Sequence, residues 1–166
     1  MIAAVVTQII ANLGDQVRVY DHLLSLTRMQ SEALARRDAQ GVHAILQEIE
    51  IGMLERGKCE FRRAQLLDQA AKMLGISPDQ VTATKLAQLA GMQIGQQLMD
   101  TAARLKHVMV ELDQIVAHNR ATLEFELSIV DHVVQAMTVS SEPMAGYGRT
   151  GVEVEHPRMR ILDAQV

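Results

Sequence analysis

The sequence predicts an all-α protein: an elongated antiparallel helical bundle, coiled-coil in character, of three long helices plus one short helix, with a largely irregular C-terminal tail. Three observations carry this. Apolar residues recur at spacings of three and four from Ile2 to Met137, the period of an amphipathic helix. The 166 residues are 48% hydrophobic, yet they hold two Tyr (Tyr20, Tyr147), two Phe (Phe61, Phe125), no Trp and ten Met. Leu, Ala and Met favour helices, whereas sheets draw on aromatic and β-branched residues. Finally, the three prolines all fall in the turn before position 80 or beyond position 140, so nothing interrupts the long periodic runs.

The elements follow in order. Val6, Ile9, Leu13, Val17, Tyr20 and Leu24 mark the first helix, which fades at Arg36-Arg37-Asp38. Two basic residues suit a helix C-terminus, and Asp38 suits the next N-cap. Val42, Ile45, Ile49, Met53, Leu66, Leu67, Ala70 and Leu74 carry the second helix. Its polar middle, Glu55 to Arg63, with Gly52 and Gly57 in or beside it, is expected to pack less firmly. Gly75 is placed to end this helix in the left-handed conformation. Ser77, Pro78 and Gln80 then read as N-cap, N1 and N3 of a capping box, with Ile76 and Val81 as a hydrophobic staple. A short helix, about 78–90, leads through Gly91 and Gly95 into a stripe running from Ile94 to Met137. At about 1.5 Å per residue that helix would be on the order of 65 Å long. Residues 1–138 are thus expected to form a helical bundle domain. Ser140-Ser141-Glu142-Pro143 stops the helix, and residues 139–166 are expected to form an extended or flexible tail that orders on binding.

Composition restricts the function classes. Sixteen basic and twenty acidic residues are interleaved to a net charge of −4, without the basic face of a nucleic-acid binder. The single Cys59 excludes an intramolecular disulfide framework and a thiolate metal cage. The apolar start, Met1 to Gly14, resembles a signal-peptide core but lacks a basic leader, and it is too short to span a bilayer. The expected location is the cytoplasm, with no direct membrane insertion.

Three patterns evoke chemistry and fall short of it. Gly52 to Cys59 matches G-x-x-x-x-G-K, but Cys59 stands where a phosphate loop has Ser or Thr, and the flanks read as helix. Gly146 to Gly151 matches G-x-G-x-x-G without the strand, turn and helix that a dinucleotide needs. His107, Glu111 and His118 share a helical face but lack the paired Glu-x-x-His motifs of bundle metal sites. Nothing resembles a nucleophile elbow. The reading is therefore a non-enzyme with no catalytic, cofactor-binding or metal-binding residues.

Two features point to partner binding instead. Asn119 interrupts the long stripe, where a lone polar residue either fixes register and partner choice or is simply satisfied by a water or a carbonyl. Beyond it, Leu123, Leu127, Ile129, Val130, Val133, Val134 and Met137 cover about 160° at 100° per residue, and Phe125 widens that arc. One buried seam needs about 100°. A second neighbour is required, either within the bundle or on a partner.

The order of pieces resembles the FlgN-type flagellar type III export chaperones. It is carried by Leu23-Leu24-Ser25-Leu26 with Gln30 and Glu32-Ala33-Leu34, then Asp38 and Ile45-Leu46-Gln47-Glu48-Ile49-Glu50, then Arg62 and Leu66-Leu67. Leu86-Ala87-Gln88-Leu89, His118-Asn119 with Leu123, and Tyr147-Gly148-Arg149-Thr150-Gly151 complete it. The resemblance implies a cytoplasmic chaperone that binds amphipathic terminal helices of hook–filament junction proteins, prevents their premature assembly and delivers them to the export gate. It implies partner contacts at Asn119, Leu123, Phe125, Leu127, Val130, Val134 and Met137. Tyr147, Gly148 and Gly151 would belong to a cargo clamp or a gate-docking element. The alternative reading is a structural or adaptor coiled-coil protein that homo-oligomerises through the wide arc, with a bundle enzyme or metal sensor as a third.

Overall fold

The structure is a computed structural model and describes residues 2–139. Four α-helices follow one another: α1 (Ile2–Ala35), α2 (Ala39–Leu74), α3 (Ala83–Ala90) and α4 (Met92–Val139), with a single 3-10 turn at Pro78–Gln80. The described residues contain no strand. The chain divides into two units, Met1–Leu123 and Glu124–Val166. Of the tail expected over 139–166, Val139 is instead the last residue of α4, and the remainder lies outside the described residues.

The first unit is an up-down-up bundle around α1. Partners of α1 on α2 fall toward its N-terminus as α1 ascends, from Cys59 and Glu60 opposite Asn12, Gln16 and Tyr20 to Gly52 opposite Leu23. Partners on α4 ascend with it. Asp21 pairs with Arg104 at 3.2 Å, Arg28 with Glu111, and the Thr27–Ser31 stretch with Asn119. Thus α2 runs antiparallel to both of its long neighbours. The core is the apolar stripe of α1 (Val6, Ile9, Leu13, Val17, Tyr20, Leu24) closed by Leu66 and Ala70 of α2, Leu86 of α3, and Leu98, Leu105, Val108 and Leu112 of α4. Each such side chain, taken fully out of water, contributes roughly 1.5–3 kcal/mol.

Helix ends follow local chemistry, with one departure from the expectation. At the end of α1, Arg37 takes the left-handed conformation (φ 56°). Asp38 N–H then donates to Ala33 O, and Arg37 N–H to Leu34 O, both at 2.9 Å, the two bonds of a Schellman close. Asp38 caps α2 as expected, accepting from Gly41 N–H at 2.8 Å. Gly75 ends α2 at φ 67°, its N–H bonded to Ala71 O. Gly75→Ala forces a side chain into that left-handed position and should cost about 1 kcal/mol, read as a lower midpoint in urea unfolding.

The capping box expected at Ser77 does not form. Ser77 makes no side-chain cap bond, and Pro78–Gln80 closes only one tight turn. Thr82 is the true N-cap, accepting from Lys85 N–H at 3.2 Å. The expected single helix over 78–90 is therefore a 3-10 turn followed by α3. A proline at N1 favours a first turn but cannot propagate one. Here Thr82, with its extended backbone (φ −102°, ψ 153°), restarts the helix two residues after the turn.

Gly95 sets the approach of α3 to α4. A Cβ there would lie 2.5 Å from Ala87 O and 3.0 Å from its carbonyl carbon, both backbone atoms that cannot rotate away. Gly95→Val should cost about 2–3 kcal/mol and separate the two helices. Thermal denaturation checks the loss, and faster amide exchange confined to α3 checks the cause.

Between Glu55 and Arg63 the polar middle of α2 buries no residue fully, though it is tied to α1 at its edges. Gly52 is buried, and a Cβ on it would lie 2.6 Å from Leu23 Cδ2, so the missing side chain is a notch for Leu23. Two turns along, Asn12 Nδ2 donates to Cys59 O at 3.2 Å, and Gln16 Nε2 donates to Asn12 Oδ1 at 2.8 Å. Tyr20 Oη donates to Glu60 at 3.3 Å, and Arg56 both pairs with Glu60 at 2.9 Å and lies 5.7 Å from the Tyr20 ring centre. Asn12 and Gln16 are each 1% exposed. A polar stretch of α2 is thus met by polar positions of α1, and the helix runs through it unbroken.

Candidate partner-binding face

Asn119 belongs to the interior of the first unit. It is buried, donating from Nδ2 to Thr27 O and to Gln30 Oε1, both at 2.9 Å, and accepting at Oδ1 from Ser31 Oγ at 2.5 Å. Gln30 and Thr27 are buried with it. Of the two readings of this residue, its partners place it as a tie between α1 and α4. The satisfied carbonyl of the second reading is there too, as Thr27 O. Leu123, at the last position of this unit, is 37% exposed.

The second unit presents a different surface. Phe125, Leu127, Val130, Val133, Val134 and Met137 are exposed by 53–68%, and Ile129 by 38%. Exposed apolar surface of this kind makes the stretch a candidate for partner binding. Its helix is held locally, with Ser128 Oγ donating to Phe125 O at 2.7 Å and Thr138 Oγ1 to Gln135 O at 2.8 Å. These bonds let polar residues stay helical by returning their hydroxyls to the backbone.

The charge of this stretch is one-sided. Residues 124–138 contain Glu124, Glu126 and Asp131 and no Lys or Arg. At about 100° per residue, Glu126 falls inside the apolar arc, between Val133 and Met137, and it is partly buried. The apolar spacing drew attention away from it; a count of polar residues within the arc would have found it. Tyr147, Gly148 and Gly151, the other expected contacts, lie outside the described residues, as does the G-x-G-x-x-G match.

The remaining chemical patterns resolve into ordinary helix. The G-x-x-x-x-G-K match at Gly52–Lys58 is part of α2, with no loop to cradle a phosphate. Glu111 pairs with Arg28, while His107 and His118 are exposed. Among the described residues no group of three or more His, Cys, Asp or Glu could hold a metal ion. Burial pushes the Cys59 thiol above its ordinary pKa, reinforced by Asp15 and Glu55, so it stays a protonated, weakly nucleophilic group. Burial likewise raises Tyr20, against the pull of Arg56 and with the help of Glu60. Among the described residues no helix is long and apolar enough to cross a membrane.

No curated protein and no solved structure matches the chain. The model of the FlgN protein family, by contrast, matches residues 1–155, nearly the whole of it. With helices throughout the described residues and a long, exposed apolar face, the chain belongs to the FlgN family, a family of flagellar export chaperones that bind export cargo.

Proposed function

We propose that the protein is a cytoplasmic chaperone for hook–filament junction proteins, and that the exposed arc of its second unit receives their amphipathic terminal helices. The observation that supports this is the row Phe125, Leu127, Val130, Val134 and Met137, exposed by 53–68% on a stretch of α4, residues 124–138, without Lys or Arg. An apolar cargo helix left in water would pair with its own kind; laid against this row it is covered instead. The carboxylates of Glu124, Glu126 and Asp131 favour a cargo helix whose flanks carry Lys or Arg. Nothing in this reading requires nucleotide hydrolysis, because covering and release depend only on relative affinities.

In the same reading residues 1–138 form the helical body. Residues 139–166 supply a second element through Tyr147, Gly148 and Gly151, either clamping the cargo or docking on the export gate. Asn119 takes an indirect part, holding α4 in register against α1. Leu123, the last residue of the first unit, is the remaining expected contact.

Co-purification with junction proteins tests the proposal. The full chain should form a stoichiometric complex with at least one of them, and failure with every junction protein would overturn the chaperone assignment. A chain ending at Thr138 separates the two roles of the tail. Weakened cargo binding assigns it to the clamp, whereas intact cargo binding with lost delivery assigns it to the gate. Cross-linking that finds residues 123–137 only in a tight homodimer would favour the adaptor reading.

A further inference from the structure

The first unit carries a second apolar surface that its own core leaves unused. On α2, Leu46, Ile51, Met53, Leu54 and Phe61 are exposed by 41–68%, with Leu54 and Phe61 highest at 68% each. At about 100° per residue these five cover an arc of about 160°. Its centre, at Leu54 and Phe61, lies opposite the Gly52, Leu66 and Ala70 face that packs into the bundle. Gly57 is on this outer surface, and a Cβ built on it meets nothing within 4 Å.

The charges flanking the arc are polar in the sense of a magnet. Residues 47–55 hold Glu48, Glu50 and Glu55 and no base, whereas residues 56–63 hold Arg56, Lys58, Arg62 and Arg63 against Glu60 alone. Two pairs are satisfied within the helix: Glu55 with Lys58 at 2.7 Å and Arg56 with Glu60 at 2.9 Å. Glu50 and Arg62 are exposed and form no ion pair among the described residues. A helix with one acidic and one basic half complements a copy of itself turned end for end. Laid parallel, it would set acid against acid.

We propose that this face of α2 is a self-association surface whose occupant is α2 of a second copy, packed antiparallel about a two-fold axis between Gly57 and Lys58. About that axis Leu54 of each copy meets Phe61 of the other, and the partner's Arg62 comes within a turn of Glu50. Gly57 leaves room for the partner's Lys58 stem, whose charge Glu55 already balances. Such an interface is isologous, so each contact occurs twice. With five side chains on one helix it is at the small end of specific interfaces, and the dimer is concentration-dependent, with Kd on the order of 10–100 μM. The inference does not depend on the chaperone assignment.

Sedimentation velocity on the full chain, from about 1 μM to about 1 mM, tests it. The wild type should pass from monomer to dimer, and Phe61→Glu should weaken dimerisation at least about tenfold. Leu54→Gln serves as a milder second variant, and circular dichroism of each should match the wild type. Glu50→Arg and Arg62→Glu should each weaken the dimer, and the double exchange should restore it. A monomer throughout, a dimer indifferent to Phe61→Glu and Leu54→Gln, or a double exchange no better than the singles would each overturn the proposal. A dimer abolished by Leu127→Asp but not by Phe61→Glu would also overturn it, since association would then run through the second unit. Cargo binding measured on the same variants reports separately on the chaperone assignment.

Discussion

Leu127→Asp combined with Val134→Asp is expected to abolish cargo capture while leaving the helix content and melting temperature of the protein close to those of the wild type. Both side chains are more than half exposed, so each substitution changes little in the folded monomer, and surface changes of this kind stay within about 0.5 kcal/mol. In a complex the same positions would lie under an apolar helix. Losing two such contacts and desolvating two carboxylates should cost about 3–5 kcal/mol, a drop of about two to four orders of magnitude in affinity. The new charges also add to Glu124, Glu126 and Asp131, which strengthens the attraction for a cargo with basic flanks. A matched pair, Leu127→Lys with Val134→Lys, separates the two effects: apolar recognition predicts equal failure, whereas charge-driven recognition predicts that only the Lys pair fails. Isothermal titration with a junction-protein terminal peptide reads the affinity, and far-ultraviolet circular dichroism reads the fold. Global unfolding of either pair would place these residues in a core and defeat the partner-facing reading.

Spacing alone made the long helices legible because a 3.6-residue period is imposed by backbone geometry and survives any tertiary arrangement. The Asp38 cap and the Gly75 stop were legible for a similar reason, since each acts within its own turn. At Ser77 two local signals compete. Ser77-Pro78 opens a turn, but Thr82 offers an equally good cap four residues before Leu86, and burial of Leu86 in the core favours the helix that starts later. Local rules do not rank such rivals; packing does. The polar tie between α1 and α2 was hidden differently. Asn12 and Gln16 fall within the apolar arc of α1, where a polar residue must find a partner, but that partner is the Cys59 carbonyl more than forty residues away. A backbone acceptor leaves no mark on a sequence. At the candidate site, Asn119 stood out by breaking a pattern and the arc beyond it by exceeding one. Glu126, inside that arc, did not, because a count of apolar positions passes over the polar ones between them.

Asn119→Leu should cost about 1–3 kcal/mol, and Asn119→Asp should cost more, although Asp is the closer match in shape. Asn119 is 3% exposed and ties α1 to α4 with both functions of its amide. Leu removes the donors and leaves Gln30 Oε1 buried without this partner; Thr27 O still has Ser31 Oγ at 3.2 Å. Loss of Asn119 Oδ1 releases the one Ser31 hydroxyl proton to Thr27 O, so the penalty is chiefly that of one unsatisfied buried acceptor. Asp does worse, because its carboxylate points acceptor oxygens at Gln30 Oε1 and Thr27 O and carries a charge where water is excluded. Burial among acceptors would raise the folded-state pKa of that new carboxyl above its unfolded value. A carboxyl raised in this way binds more protons folded than unfolded, so the Asp variant should recover stability as pH falls through the folded-state pKa and lose it as pH rises. The Leu variant carries no such group, and its deficit relative to wild type should be flat with pH. Urea unfolding of the three proteins at pH 5 and pH 8 separates these outcomes. If Leu proves neutral and Asp independent of pH, the amide network does not hold α1 against α4, and the ion pairs Asp21–Arg104 and Arg28–Glu111 with the apolar core must set their register alone.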